Sequence, residues 1–177
     1  DPILEEDPEN KAVLYMIGTA LMRDRQTERG EKVLARILRQ GDSAEAHLLL
    51  ALASHEANID TGAETEARKA LALNPKLPTA WANRGQARGS KKDFDGALAD
   101  FDRALELDPK SSTVLFNRGN AWLSKGDVDK ALADFEQSLK LNPDSAAVWN
   151  NCGNARFMKG RLEAAIADYN RAIELDQ

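Results

Sequence analysis

The chain has 177 residues, 42% of them apolar and 30% charged, with a formal net charge of −5 and a pI near 5.2. That much apolar material is enough for a continuous core and excludes a disordered chain. The acidic balance speaks against nucleic acid as a partner, because proteins that grip a phosphate backbone carry a basic face.

Aromatic residues make up only 6% of the sequence, so the core must be built from Ala, Leu, Ile and Val, and an alanine-rich core favours closely packed helices. The one cysteine, Cys152, excludes an internal disulfide framework and fits a reducing compartment such as the cytoplasm, although the compartment stays open. The longest apolar run is His47–Ala53. It is far short of the roughly 18 to 20 residues of a membrane span, so no direct membrane insertion is expected. The sequence starts at Asp1 and reads as an excised segment.

An internal period organises the rest. Pro75, Pro109 and Pro143 are each 34 residues apart, as are Gly85, Gly119 and Gly153, and Phe101, Phe135 and Tyr169. Ala63, Ala97, Ala131 and Ala165 keep the same step. In chain order, residues 1–10 are a leader and 11–43 a divergent first unit, in which Pro8, Gly18 and Leu34 stand where Pro75, Gly85 and Phe101 stand later. A divergent second unit spans 44–77, with His47, Ala51, Ser54 and Ala67 at places that hold bulkier residues or Gly elsewhere. Regular units follow at 78–111, 112–145 and 146–177, the last ending with no polar capping helix.

Within a unit the apolar spacing predicts two helices, as in Val128, Leu132, Phe135, Leu139 and Leu141 after the Gly126-Asp127 break. Asp93 and Asp127 are placed to cap second helices, and the prolines after Asn74, Asp108 and Asn142 stop them. In the second unit Asn58 takes the turn, since Asn tolerates left-handed geometry. Gly119 and Ala131 allow two backbones to approach closely, with Trp122, Phe135 and Leu139 filling the spaces between units.

These residues resemble the tetratricopeptide repeat family, whose 34-residue unit has W/L, G, Y, A, F, A and P at set offsets. The pattern reads Trp81, Gly85, Ala97, Phe101, Ala104 and Pro109 in the third unit. The fourth gives Leu115, Gly119, Trp122, Ala131, Phe135, Ser138 and Pro143, and the fifth Trp149, Gly153, Ala165, Tyr169 and Ala172. The resemblance implies an all-α, right-handed α-solenoid of antiparallel helix pairs, about five units long. Three departures, Arg88 and Arg156 for the first-helix aromatic and Gly30 for alanine, predict looser packing at those places.

Catalysis finds little support. His47 and His55 lie about two turns apart without a matching Cys, which excludes a shared metal, and His47 reads as packing within a first helix. Cys152 beside Gly153 reads as a buried, inert thiol. Asp93, Asp95, Asp100, Asp102, Glu106 and Asp108 read as a solvated outer face, and Arg84, Arg88, Arg118 and Arg156 as residues that pack their aliphatic stems. No cofactor or metal is expected.

The informative polar pattern is a double row of amides. Asn83, Asn117 and Asn151 occupy the sixth residue of the three regular units, and Gln86, Asn120 and Asn154 the ninth. Asn is a poor helix former, so its repetition requires a role in binding or in helix-to-helix hydrogen bonds. The offsets resemble the asparagine ladder in the repeat region of protein O-GlcNAc transferases, which implies a concave face gripping an extended peptide, each amide matching a peptide bond's N–H and C=O. Phe116, Phe157 and Met158 supply apolar neighbours. An Hsp70 or Hsp90 C-terminal tail is not expected, because Thr79, Ala82 and Asn83, or Thr113, Phe116 and Asn117, stand where the carboxylate clamp of chaperone-binding members has Lys and Arg.

The functional expectation is a non-catalytic scaffold binding an extended peptide or partner protein through Asn83, Gln86, Asn117, Asn120, Asn151, Asn154, Phe116 and Phe157. Two alternatives stay open: the substrate-recognition arm of a larger enzyme such as a glycosyltransferase, and a module that forms homo-oligomers through its C-terminal repeat, whose apolar edge lacks a cap.

Overall fold

The computed structural model describes residues 10–39, 41, 43–56 and 59–176, and among them every regular element is a helix. These are α1 (Lys11–Arg23), α2 (Thr27–Arg39), α3 (Ala44–Glu56), α4 (Asp60–Leu73), α5 (Pro78–Ser90), α6 (Phe94–Leu107), α7 (Ser112–Ser124), α8 (Val128–Leu141), α9 (Ala146–Met158) and α10 (Leu162–Leu175). The chain divides into two compact units, Asp1–Lys91 and Lys92–Gln177. In the first, α1 pairs with α2 and α3 with α4, and α5 packs on α4 and α3. In the second, α7 pairs with α8 and α9 with α10, while α6 lies against α7 and α8 against α9. Tight connections between consecutive helices make them antiparallel neighbours, the arrangement of an all-α solenoid.

Capping follows the sequence closely. Asp93 accepts from the Gly96 N–H at 3.1 Å and Asp127 from that of Lys130 at 3.2 Å. Asn10 takes the N–H groups of Ala12 and Val13, and Ser111 that of Val114. Each side chain satisfies a donor that the first turn leaves over.

First helices end in one recurring closure. The Gly126 N–H bonds the Leu123 carbonyl and the Asp127 N–H that of Trp122, both at 3.0 Å, and Gly160 and Arg161 repeat this on Phe157 and Arg156. The motif needs a left-handed residue, and Gly126 (φ 84°) and Gly160 (φ 71°) supply it. Lys92 (φ 66°) and Arg25 (φ 60°) hold the same place in their units without being glycine, at a cost of about 1–2 kcal/mol each. The turn assigned to Asn58 lies outside the described residues.

Paired helices meet at small residues. Ala97, Ala131 and Ala165 are buried on second helices, and a Cβ on Gly119 would come within 2.5 Å of the Phe135 ring. Gly153 faces Tyr169 in the same way at 2.6 Å, and Gly18 faces Leu34 at 2.4 Å. Gly30 corrects the expectation of looseness in the first unit. A Cβ there would meet Met22 Cγ at 2.4 Å and the Gly18 carbonyl at 2.7 Å, so the missing methyl is used for a closer approach.

Between successive pairs, Phe135 and Leu139 are buried with Val148, Cys152 and Ala155, and Trp122 packs against that cluster. Trp149 donates its indole N–H to the Pro143 carbonyl at 2.8 Å, and Trp81 does so to Pro75 at 2.9 Å. A first-helix tryptophan thus anchors the proline turn that precedes it.

Gly119→Ala tests the close approach. Phe135 is fully buried and cannot yield, so overpacking exceeds the gain of about 1 kcal/mol in helix propensity, and a net loss of about 1–2 kcal/mol is expected in urea unfolding.

Candidate functional site

The amides occupy first helices in both units. In the first unit Asn83 and Gln86 lie on α5; Asn83 is buried, 6% exposed, and its Nδ2 has no hydrogen-bond partner within the protein. In the second unit α7 presents Phe116, Asn117 and Asn120, and α9 presents Asn151, Asn154 and Phe157.

There the amides divide between two roles. Asn151 Nδ2 donates to Asn120 Oδ1 at 2.7 Å, joining α9 to α7, and Tyr169 Oη donates to Asn154 Oδ1 at 2.8 Å, joining α10 to α9. The Nδ2 of Asn117 is buried with no partner. Phe116 is half-buried, its ring centroid 6.0 Å from that of Phe135, so it belongs largely to the packing. Phe157 and Met158 are 60% and 58% exposed.

Beneath this face lies a constellation that reading the carboxylates as a solvated surface misses. Asp100, Asp134 and Asp168 are buried, and they too stand 34 residues apart. Arg118 engages Asp134 through two bonds, Nε to Oδ2 at 2.8 Å and Nη2 to Oδ1 at 2.6 Å. Its third arm, Nη1, reaches Asp102 on the preceding second helix at 2.7 Å. Arg156 repeats the bridge, bonding Asp168 on its own partner helix and Glu136 on the preceding one.

Arg118 and Arg156 are therefore ion-paired connectors whose side chains are only 22% exposed, so the stem packing expected of them comes together with a charge role that expectation did not include. Arg88 lies 3.6 Å from Glu64, and the Arg84 guanidinium sits 4.6 Å from the Trp81 ring centroid. The signal was in the sequence, since a buried carboxylate row at the repeat period calls for a cation within reach.

The remaining titratable groups behave structurally. Cys152 is fully buried, and burial together with the nearby Asp168 charge pushes its thiol up to about 12, which keeps it protonated. Burial also raises the Asp168 carboxyl against the pull of Arg156, and its Oδ2 has no partner within the protein. His47 is buried with Nδ1 2.5 Å from Glu66 Oε2, and Glu66 also pairs with Lys69 at 2.8 Å. Glu64 accepts from Lys91 at 2.6 Å and Arg68 at 2.7 Å, and these bonds hold its carboxyl at about 2. Among the described residues no group of three or more His, Cys, Asp or Glu is arranged around a metal position, and no helix is long and apolar enough to cross a membrane.

The sequence matches tetratricopeptide repeat patterns over residues 15–78 and 123–177 in one form and 78–111 in another. The chain belongs to the tetratricopeptide repeat family. Among solved structures it resembles PilF of Pseudomonas aeruginosa at 24% identity and a TM-score of 0.79, covering 93% of this chain and 75% of that one. A crystal structure of MamA aligns at 20% identity and 0.76, over 90% and 94%. MamA from Desulfovibrio magneticus RS-1, from residue 41 to its end, aligns at 20% and 0.76, over 94% and 96%. At these identities the likeness is one of fold. No curated protein sequence matches. A tetratricopeptide frame is a scaffold for protein–protein contact, and its binding residues are those the frame itself does not use.

Two charge variants test the electrostatic layer. Arg118→Met strands the buried Asp134 carboxylate and is expected to lower unfolding free energy by about 2–4 kcal/mol, whereas Arg103→Met, which breaks an exposed pair with Glu106, stays within about 0.5 kcal/mol. Glu64 has a folded value below its ordinary 4.5, so its stabilisation is fully present above 4.5 and fades as the pH falls towards 2. Urea midpoints of wild type and Glu64→Gln should therefore differ most near neutrality and converge near pH 2.

Proposed function

We propose that this chain is a non-catalytic scaffold that binds an extended peptide, or an extended segment of a partner protein, along the face lined by α7 and α9, the first helices of its second compact unit. One observation carries the reading: Asn117 on α7 keeps a buried Nδ2 without a partner within the protein, and Asn83, at the same repeat position in the first compact unit, does so there as well. An unmet buried donor costs about 1–3 kcal/mol, so its recurrence at one repeat position favours an acceptor that arrives with a ligand. A peptide carbonyl is such an acceptor, and a bound chain running past successive repeats would offer carbonyls repeatedly.

The amide pair Asn120–Asn151 supports the same face by fixing the rotamers beside Asn117. Preorganised amides bind at a smaller entropic cost. Exposed Phe157 and Met158 border the row and favour an apolar side chain in the ligand. Because the amides would read backbone, affinity depends weakly on ligand sequence, with apolar preference set by Phe157.

Selection from a phage-displayed library of random peptides, followed by fluorescence anisotropy on a selected peptide, tests this reading. Asn117→Ala is expected to weaken binding by about fivefold or more, the loss of one hydrogen bond. Asn120 and Asn151 are left intact because their bond also holds α7 to α9. Unchanged affinity in a variant that unfolds at the wild-type urea midpoint would overturn the proposal.

A further inference from the structure

In the second unit the ninth residues of two repeats, Asn120 and Asn154, are held by different donors. Asn120 Oδ1 accepts from Asn151 Nδ2 at 2.7 Å, and Asn154 Oδ1 accepts from Tyr169 Oη at 2.8 Å. Tyr169 stands where the two preceding repeats have Phe101 and Phe135. Its ring packs where Gly153 has no Cβ, as the Phe135 ring does at Gly119. The hydroxyl is the addition. Ring packing gives it no task, and among the described residues it bonds Asn154 alone.

These two bonds set an order of polar atoms. A side-chain amide carries its oxygen and nitrogen on one carbon, so an Oδ1 held by a neighbour leaves the NH2 end to face elsewhere. Asn120 Nδ2 and Asn154 Nδ2 have no partner among the described residues and, unlike Asn117 Nδ2, are not buried. Asn151 has given its NH2 to Asn120, and its Oδ1 is the end left open. Asn151 and Asn154 share a face of α9 about one turn apart, while Asn120 meets Asn151 from α7. The three side chains therefore present donor, acceptor and donor in turn. One edge of an extended chain answers with a carbonyl, an N–H and a carbonyl, and proline has no N–H to place at the centre.

We propose that Tyr169 is a positioning residue of the peptide-binding face: its hydroxyl turns Asn154 so that Asn120, Asn151 and Asn154 select an extended segment offering carbonyl, N–H and carbonyl along one edge. This rests on the function proposed above and deepens it, because it names the ligand atoms that are read and excludes proline at the middle position.

Aspartate separates the two ends of the amide. In Asn120→Asp and Asn154→Asp a carboxylate oxygen still accepts from Asn151 or Tyr169, so the bond within the protein is kept while the NH2 offered to the ligand is lost. Fluorescence anisotropy with the fluorescein-labelled peptide selected from the random library should show each variant binding about tenfold or more weakly than wild type, since a bond is lost and an acceptor then faces a carbonyl. Asn170→Asp, the same change of charge at an exposed site on α10, should bind as wild type does. Tyr169→Phe should cost about threefold, the effect of freeing one side chain, but nothing in the Asn154→Ala background, because the hydroxyl acts through that amide.

Asn154→Asp binding as tightly as wild type overturns the inference, as does a Tyr169→Phe cost that is the same in both backgrounds, even where Asn117→Ala weakens binding. Unchanged binding by Asn117→Ala overturns the proposed function and this inference with it. Urea midpoints show which variants keep the fold; should an Asp variant unfold early, the cycle of Tyr169→Phe with Asn154→Ala decides alone.

Discussion

Everything in this chain depends on how closely two helix backbones approach within a pair. Where Gly119 meets Phe135 there is no room for a methyl group, and Gly153 with Tyr169 and Gly18 with Leu34 repeat the contact. The large residue is held on the second helix because the first helix contributes nothing but backbone at that point. Its fixed position then defines the surface onto which the next first helix packs, as Phe135 and Leu139 do for Val148 and Cys152. A solenoid is stabilised by such nearest-neighbour contacts, so one steric rule applied per repeat propagates along each unit.

The close approach also brings polar groups into the interior and dictates how they are met. Buried Asp134 and Asp168 lie on second helices, and each is neutralised by an arginine of its partner first helix that also reaches the preceding second helix. The two arginines do not share a repeat position. At the place of Arg118 the last repeat has Cys152, and the guanidinium comes instead from Arg156, four residues and about one turn later on the same face. A buried carboxylate without a cation is costly enough that the charge reappears where the helix geometry allows it. Asp168 shows the difference: Arg118 grips both oxygens of Asp134, whereas Asp168 Oδ2 goes without a partner and burial raises that carboxyl.

Much of this frame was legible in the sequence because period and stereochemistry coincide. Pro, Gly and aromatic residues recurring at one spacing announce the helix pairs, and Asp93 and Asp127 cap where a short side chain before an apolar run must. The left-handed closures at Arg25 and Lys92 were not legible, because nothing in a Lys or Arg signals positive φ. They become visible once Gly126 and Gly160 show what the turn requires. Gly30 misled for a related reason: a missing methyl reads as lost packing, but two helices can move together to remove the void, and here Met22 and the Gly18 carbonyl fill it. The buried carboxylates were present in the periodicity all along, hidden by the rule that Asp belongs outside.

The amide rows show why frame and site separate only in part. Asn151 and Asn120 bond to each other and so act as frame, while Asn117, on the same helix as Asn120, keeps an unmet donor. Residue type and spacing are identical across the row, and what differs is whether a neighbour lies within reach. In the divergent second repeat the same logic operates at the position of Trp81 and Trp149. There His47 turns its ring to Glu66, and a cleft of about 450 Å³ lies against Leu38, His47, Lys69, Ala72 and Leu73. Glycines, alanines and bridging arginines fix where each helix runs. Repeat proteins sharing one frame therefore diverge in what they hold.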